Sequence, residues 1–556
     1  MPSPETLDVK RLRTAWPVGL LSAAFLASIA HFTPNAPAWD DYGAILEWLL
    51  NLSERSEHWS YWRVFDPHNE HRIAALRIIS LLSGANFQLI AVLGGCFLAL
   101  LAGALASYVS ARLPAASRYD AVVATPVAIA VALMLFSPRH WETTYWATTA
   151  ASALPCLAFA FAALWLIEET SSPRDVRFVL SILAAVASSL SQSNGLLVWP
   201  IGAAMLVFGQ QDGYRKTLVV WLTMGTALAA VMFAAWPPTA IEKERSFDAE
   251  RLFAAAHYTM RILGHGFSGG TGYLIAGVTM FIFPASVRRN VTQNLALFGL
   301  ALFGLGSVVL ISMGRSDLPL ATAGSSRYAL YAAVFLLASF LMLLLNRPNS
   351  TSAIALFVAA AVVYFVYGTL FGGRELLERI GKVNSQLRVL ETTRGLETYS
   401  NLFAPADHLP RIADLLTRSS RAGLYSLPRS VSIAAQPEVR FEGPPKGAIS
   451  DGGHIDGAPI IGNRLVLVGW HAIPLAEQGI TLHVFGVPPV VAHVYSIRER
   501  SDVARAMNQP DLRFSGFELS LEFQDVAHAN AARLNVRVAA CAASRCYRLR
   551  RDGAPN

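Results

Sequence analysis

Long apolar runs recur along the first two thirds of the chain and end near residue 372. Runs of this kind approach the roughly 20 residues that an α-helix needs to cross the hydrocarbon core of a bilayer. The pattern predicts about eleven membrane-spanning helices, near residues 15–32, 86–109, 120–137, 147–167, 177–190, 196–208, 217–236, 271–286, 294–313, 329–346 and 352–371. The short runs at 177–190 and 196–208 also fit one long helix that is broken at residues 191–195.

The pattern changes after residue 372. Charged stretches with helical character cover residues 374–397 and 405–420, and short alternating runs separated by Gly and Pro follow from about residue 430. Alternation with a period of two is typical of strands. We therefore predict three regions: a transmembrane body over residues 1–372, a helical connector over residues 373–428, and a β-sandwich domain of the jelly-roll type over residues 429–556.

The composition also indicates a membrane protein. The 556 residues are 53% hydrophobic and only 15% charged, whereas soluble domains average roughly 25% charged residues. The charge is uneven, because 40 of the 83 Lys, Arg, Asp and Glu residues fall from Gly373 onward. The first two thirds therefore carry too little charge to cover a water-facing surface, which excludes a soluble globular protein.

The basic residues of the short loops give an orientation, because Lys and Arg are enriched in cytoplasmic loops. They fall before the first predicted span and then in every second loop: Lys10, Arg11, Arg13, Arg112, Arg118, Arg174, Arg177, Arg215, Lys216, Arg288, Arg289 and Arg347. We expect a cytoplasmic N-terminus and, with an odd number of spans, a tail outside the cytoplasm. The net charge of +7 follows from these loops, and no basic stripe with interleaved aromatic residues indicates nucleic acid. The first run also fits a cleaved signal peptide, although residues 36–38 match a cleavage site poorly.

The four cysteines fall into two groups. Cys96 and Cys156 lie inside apolar runs and are expected to be core residues. Cys541 and Cys546 lie in the tail, with alternation before them and four residues between them, which predicts a hairpin that a disulfide closes in an oxidising compartment. Two free thiols are the alternative.

The first loop expected outside the cytoplasm, about residues 33–85, carries the strongest candidate chemistry. Asp40 and Asp41 precede a short amphipathic stretch, and a second stretch follows the run His68-Asn69-Glu70-His71-Arg72. One aspartate fits a helix N-cap, but only one of the two can serve as that cap. The pair His68 and His71 lacks the context of a zinc site, and Arg72 also fits an anchor at lipid headgroups.

Two later outer loops add aromatic and basic residues. The second holds Trp141 and Glu142, and the third holds Arg315, Arg327 and Tyr328. Aromatic residues here fit the interfacial belt of a membrane protein. The two arginines break the charge rule for outer loops, so they need an anionic partner, either a lipid phosphate or Asp317 in a salt bridge.

The architecture and these motifs resemble the GT-C superfamily of glycosyltransferases. Asp40-Asp41-Tyr42, the run from His68 to Arg72, Trp141-Glu142 and Ser326-Arg327-Tyr328 are similar to those of bacterial inner-membrane members with a C-terminal extracytoplasmic β-domain. The likeness extends over nearly the whole chain, but its motifs are short. It implies a polyprenyl-phosphate-linked sugar as donor, a glycan or lipid of the cell envelope as acceptor, and a periplasmic reaction site.

The resemblance implies that Asp40 or Asp41 is the general base. It also allows the pair to be ligands of a divalent metal ion. It places Glu70, His71, Arg72, Trp141, Glu142, Arg315, Arg327 and Tyr328 at the substrate. Chemistry supports the base independently, because a carboxylate can take the proton of an attacking hydroxyl. A lipid phosphate leaves readily and needs charge stabilisation, which Arg72, Arg315 or Arg327 can supply. Single displacement with inversion needs only this carboxylate, whereas retention needs a second, for which Glu70 is the candidate.

Two other functions stay open at this point. A flippase or transporter of lipid-linked glycans needs a polar pathway through the spans, and the apolar runs hold almost no ionisable residues. A polysaccharide polymerase or ligase also uses outer arginines but does not require the acidic pair.

Overall fold

The computed structural model of the protein describes most of the chain, namely residues 4–54, 61–68, 71–113, 120–209, 214–234, 249–264, 270–347, 350–393, 409–425, 438–440, 449–461, 463–473, 481–485, 491–498, 501–509, 516–542 and 545–551. The chain divides into two compact units. The first comprises Met1–Ile380 and Asp414–Ser426, and the second comprises Gly381–Ala413 and Leu427–Asn556.

The first unit is built from helices. Those described are α1 (Pro4–Phe32), α2 (Trp48–Ser53), α3 (Ala74–Ser83), α4 (Phe87–Arg112), α5 (Asp120–Leu135), α6 (Trp141–Thr144), α7 (Ala147–Glu168), α8 (Val176–Ser191), α9 (Val198–Gly209), α10 (Tyr214–Ala234), α11 (Ala249–Leu263), α12 (Gly270–Asn290), α13 (Leu295–Arg315), α14 (Ser326–Leu345), α15 (Thr351–Thr393) and α16 (Leu409–Arg421). The last two extend into the residues of the second unit.

A helix stands at each of the eleven predicted spans. Among the described residues, seven helices are long and apolar enough to cross a membrane: α1, α4, α7, α10, α13, α14 and α15. The apolar parts of α8, α9 and α12 are shorter, so the count of eleven crossings stays a prediction. The protein is therefore a helical membrane protein.

Glycines let some of these helices approach closely, as is common inside membranes. A Cβ atom at Gly94 of α4 would lie 2.5 Å from the backbone of Ala150 in α7, and one at Gly304 of α13 would lie 2.9 Å from the backbone of Phe335 in α14. Any larger residue would push these pairs apart. These contacts hold α7 and α14 in the interior of the helical body. The N-termini of both helices lie beside the candidate site.

The first outer loop is structured rather than a plain connector. A π-helical turn over Tyr42–Glu47 continues into α2, whose Trp48, Leu49 and Leu50 are buried. A two-residue hairpin, β1 (Pro67–His68) with β2 (His71–Arg72), then leads to the strongly amphipathic α3. Helices thus stand at both predicted amphipathic stretches, and the first packs into the protein.

The second unit contains a mixed sheet of nine described strands. They are β3 (Glu438–Arg440), β4 (Ile449–Gly457), β5 (Ile460–Ile461), β6 (Arg464–His471), β7 (Thr481–Phe485), β8 (Val491–Arg498), β9 (Gly516–Glu522), β10 (Arg537–Ala542) and β11 (Arg545–Arg551). The order is β3-β7-β10-β11-β4-β6-β9-β8, with β5 paired to β6, and the pairs β3–β7 and β4–β11 are parallel. The predicted β-domain is thus present, as one hydrogen-bonded sheet rather than two antiparallel sheets, because alternation predicts strands but not their partners.

Leu465, Leu467, Phe517, Leu519 and Val538 are buried in the core of this sheet. Short helices α17 (Ser501–Ala506) and α18 (Val526–Asn535) accompany the strands. Cys541 and Cys546 face each other across the β10–β11 hairpin and form a disulfide.

Candidate active site

The acidic pair of the first outer loop is divided between a buried and an exposed residue. Asp41 is 1% exposed, and it makes no side-chain bond to the helical turn that follows it. Its Oδ2 accepts a hydrogen bond from the Ala38 amide (2.9 Å), and its Oδ1 accepts bonds from the amide (3.0 Å) and the hydroxyl of Thr148. Asp41 therefore caps the N-terminus of α7.

Burial raises the pKa of Asp41 from 3.8 to about 7, against the opposing effect of its three hydrogen bonds. Its carboxyl has no free oxygen facing water, and desolvation favours its protonated form. Such a group is suited to hold the loop on α7 and badly placed to receive a proton from a substrate.

Asp40 has the opposite environment. Its side chain is exposed, and its carbonyl accepts a hydrogen bond from the Ala44 amide (2.8 Å), which starts the π-helical turn. The preceding Trp39 has a left-handed φ of +48° and is 47% exposed. Asp40 also interacts electrostatically with His68 of the hairpin. Burial lowers the pKa of His68, and the negative charge of Asp40 partly opposes this by raising it. Of the pair, only Asp40 can reach a substrate from solution.

Glu142 in the second outer loop is a helix cap as well. Its Oε2 accepts hydrogen bonds from the Ser325 hydroxyl, the Ser326 hydroxyl (2.8 Å) and the Arg327 amide (3.1 Å). The Thr143 hydroxyl donates to the Arg327 carbonyl (3.1 Å). Glu142 thus fixes the N-terminus of α14, and with it the position of Arg327.

Arg379 of α15 joins these two caps. The guanidinium is partly buried and interacts electrostatically with Asp41 and, more weakly, with Glu142. Because both carboxylates act on one cation, the first and second outer loops lie on the same side of the protein and near each other. A direct bond supports this, since the Trp146 indole donates to the Ala38 carbonyl (3.2 Å).

Two arginines of the third outer loop surround one tyrosine. The guanidinium carbons of Arg315 and Arg327 lie 5.7 and 5.1 Å from the ring centre of Tyr328. Among the described residues, no carboxylate lies within 4.0 Å of either guanidinium, so Asp317 does not form the alternative salt bridge. The Nε of Arg327 and the hydroxyl of Tyr328 are buried and have no hydrogen-bond partner in the part of the chain that the structure describes. This cluster of two cations and a tyrosine has the chemistry to bind an anion.

Arg72, which the sequence placed at the leaving group, has a different role. It is 6% exposed, and its guanidinium donates to the carbonyls of Phe65 and Met232, the latter at 3.0 Å. It ties the first outer loop to α10 instead of facing a substrate. His71 next to it lies 3.1 Å from the Ser193 hydroxyl.

Of the other predicted site residues, Trp141 has a bonding partner within the protein. The Trp141 indole donates to Glu375 (3.0 Å), which also pairs with Arg139. Glu70 lies outside the described residues. Among those described, no group of three His, Cys, Asp or Glu side chains has the arrangement of a metal site, and the oxygens of Asp41 already accept N–H and O–H bonds. These residues do not fit a metal ion, and we derive no step through one.

Sequence reasoning missed Thr148 and Arg379, and it did not assign Ser325 and Ser326 their role as donors to Glu142. Thr148 stands in an apolar run and Arg379 in a charged stretch after the last span, so neither has a distinguishing pattern. Ser325 and Ser326 precede an apolar run, which is the usual signal for a helix N-cap.

Comparisons with known proteins give structural similarities only. No protein-family profile and no curated protein sequence matches the chain. The archaeal oligosaccharyltransferase AglB from Archaeoglobus fulgidus, in complex with an inhibitory peptide and a dolichol-phosphate, is similar at 13% identity and a TM-score of 0.37, over 77% of this chain and 62% of that chain. An Archaeoglobus fulgidus oligosaccharyltransferase in complex with Zn and sulfate has 13% identity and a TM-score of 0.33, over 77% and 60%.

The chain thus spans about three fifths of the length of either structure. Both are oligosaccharyltransferases. Similarity at this level assigns neither a fold nor an activity, so the function of this chain has to be argued from its own geometry.

Proposed function

We propose that the protein is a glycosyltransferase of the bacterial inner membrane. It takes one sugar from a polyprenyl-phosphate donor and transfers it to a cell-envelope glycan or lipid on the periplasmic side. Two observations carry the proposal: Asp40 is an exposed carboxylate in the first outer loop, and Arg315 and Arg327 in the third have no carboxylate partner among the described residues. Helix caps hold the neighbouring segments of these loops in place.

Asp40 is the general base in this proposal. The acceptor hydroxyl gives its proton to the Asp40 carboxylate while its oxygen bonds to the anomeric carbon of the sugar. The bond between that carbon and the phosphate oxygen breaks in the same displacement, so the configuration inverts. Asp41 keeps the loop on α7 and thereby positions Asp40.

Arg315 and Arg327 receive the leaving group. The lipid phosphate gains negative charge as it departs, and guanidiniums that are already in place stabilise that charge without reorganisation. The Tyr328 hydroxyl, which is buried without a partner, is available as a further donor to a phosphate oxygen.

A transfer assay with purified protein and short-chain polyprenyl-phosphate sugars tests this proposal. We expect Asp40→Asn to lower kcat about 10²-fold or more, since positioned bases contribute about 10²- to 10⁴-fold, with little change in donor binding. Arg327→Gln should instead weaken binding of both the donor and the free polyprenyl phosphate. Asp317→Asn, an exposed carboxylate of the third outer loop, is the matched control and should keep full activity.

Full activity of Asp40→Asn would exclude the base that we propose. Transport of a lipid-linked glycan across vesicle membranes without any sugar transfer would favour the flippase. Activity that depends on Arg327 but not on Asp40 would favour a polymerase or ligase.

A further inference from the structure

The turn between α8 and α9 places polar side chains among apolar helices. A short 3-10 helix over Ser193–Leu197 replaces the predicted break, and Gln192 leaves α8 in an extended conformation. Only glycine fits at position 195, because a Cβ there would lie 2.2 Å from the backbone of Ser188. The chain therefore folds back tightly at this point.

This turn lies deeper than the outer end of α14. Tyr331 stands five residues after the start of α14 at Ser326, about 7.5 Å along the helix axis, and its hydroxyl donates to the Gln192 side chain (2.6 Å). The turn residues therefore lie below the level at which Glu142 caps the helix. The His71 ring reaches the same turn from the first outer loop, at 3.1 Å from the Ser193 hydroxyl.

The groups gathered here are hydroxyls, amides and an imidazole, without a carboxylate or guanidinium among those named. Asn194 is 6% exposed, and its side chain lies beside the Tyr331 hydroxyl. Its buried Nδ2 makes no hydrogen bond of normal geometry to any residue that the structure describes. An unsatisfied buried amide costs about 1–3 kcal/mol, and a bound hydroxyl would relieve that cost. Side-chain amides and hydroxyls both donate and accept, as sugar hydroxyls require of a binding site.

We infer that Gln192, Asn194 and Tyr331 form the subsite that holds the sugar ring of the lipid-linked donor, a role that rests on the proposed function. Tyr331 follows Arg327 by four residues on α14, so the two side chains lie on one face about 6 Å apart along the axis. That rise is comparable to the separation of a phosphate from the sugar ring it carries. In this arrangement Arg327 binds the phosphate, and the polar side chains of the α8–α9 turn bind the sugar one turn deeper.

The competing account is that the cluster only satisfies the polar groups of the helix reversal. The two accounts differ in ligand binding, because a structural cluster cannot distinguish a sugar-bearing lipid from the same lipid without its sugar. The probes are polyprenyl phosphate and the same lipid carrying glucose, galactose, mannose or arabinose. Binding to the purified full chain in detergent is measured for each by calorimetry.

We expect wild type to prefer one sugar-bearing lipid over the bare phosphate. Tyr331→Phe and Asn194→Ala should each weaken binding of that lipid about tenfold, the loss of one hydrogen bond, and leave binding of polyprenyl phosphate unchanged. Arg327→Gln should weaken both. Ser339→Ala, deeper on the same helix and bonded only to the Phe335 carbonyl at 2.8 Å, is the matched control and should change neither.

Each other outcome overturns the inference. Equal weakening of both lipids, or of neither, in Tyr331→Phe and Asn194→Ala assigns the cluster to structure alone while leaving the proposed function intact. A wild-type protein that binds neither lipid removes the proposed function, and the subsite with it.

Discussion

Two adjacent aspartates differ in role because their environments differ. Asp41 exchanges water for two hydrogen bonds from Thr148 at the start of α7 and one from the Ala38 amide, whereas Asp40 remains in solvent. The sequence shows an acidic pair and indicates that only one of the two can cap a helix. The hydrogen-bond partner of the buried aspartate, Thr148, is 107 residues away from it in the sequence. No local pattern predicts such a bond.

Stability should depend on pH through Asp41. Its pKa is about 7 in the folded protein and near 3.8 when unfolded, so between these values the folded state binds more protons than the unfolded state. Stability from this group is therefore greatest at low pH and falls as pH rises through that window, by at most about 1.4 kcal/mol per unit. Thermal unfolding in detergent at pH 5 and pH 7.5 measures the slope.

The variant Asp41→Asn isolates this contribution, because an amide does not titrate. It should be less stable than wild type at pH 5. The amide group of the variant turns an N–H toward the Ala38 N–H, which in wild type donates a hydrogen bond to the Asp41 carboxyl oxygen. The deficit should shrink toward pH 7.5. Asp317→Asn should keep the wild-type slope, and a deficit of Asp41→Asn that is independent of pH would contradict the raised pKa.

At the scale of elements, three carboxylates hold the N-terminus of a helix that is not their own. Asp41 caps α7, Glu142 caps α14, and Glu168 at the end of α7 accepts a hydrogen bond from the Leu295 amide at the start of α13 (3.1 Å). Each bond joins two separate parts of the helical body by supplying an acceptor to an amide that has no partner within its own helix. These caps therefore help to hold the helices together in a membrane, where the hydrophobic effect gives little driving force for helix association.

Glu168 and its neighbour Glu169 offer a matched test of this device. Glu168 also accepts a bond from the Tyr108 hydroxyl (2.8 Å) and pairs with Arg112 (3.2 Å), whereas Glu169 is half-exposed and lies 3.9 Å from Arg177. We expect Glu168→Gln to lower the free energy of unfolding by about 1–3 kcal/mol and Glu169→Gln to change it by at most about 0.5 kcal/mol.

Denaturant unfolding of the two purified variants in the same detergent measures the difference. Equal losses would mean that the cap at α13 contributes nothing beyond a surface ion pair. A larger loss for Glu169→Gln would contradict the assignment outright.

Sequence patterns were most informative for elements and least for their partners. Apolar runs such as 86–109 predict helices well, since length and composition alone decide them. The break at 191–195 was visible from its Gln, Ser, Asn and Gly residues, but its contact with Tyr331 was not. In the tail, alternation predicted strands, while the parallel pairing of β11 with β4 depends on contacts between residues about 95 positions apart.

At the scale of the whole molecule, the proposal requires Asp40, Arg315 and Arg327 to face away from the cytoplasm. The loop charges predict that orientation: Arg174 precedes α8 and Arg177 lies in its first turn, at the opposite end of α7 from the second outer loop. A lipid-phosphate donor that is used on the periplasmic face requires the same orientation. A test of the topology is therefore also a test of the proposed mechanism.

Single cysteines at two exposed positions test this orientation. Cys96 and Cys156, the free cysteines, are first replaced by Ala, and Asp317→Cys or Arg174→Cys is introduced at an exposed site. A membrane-impermeant maleimide should label Asp317→Cys in bacterial cells with a permeable outer membrane and an intact inner membrane. It should label Arg174→Cys only after the inner membrane is opened, because charged reagents do not cross the hydrocarbon core. The reversed pattern would place Asp40 in the cytoplasm, where a periplasmic donor could not reach it.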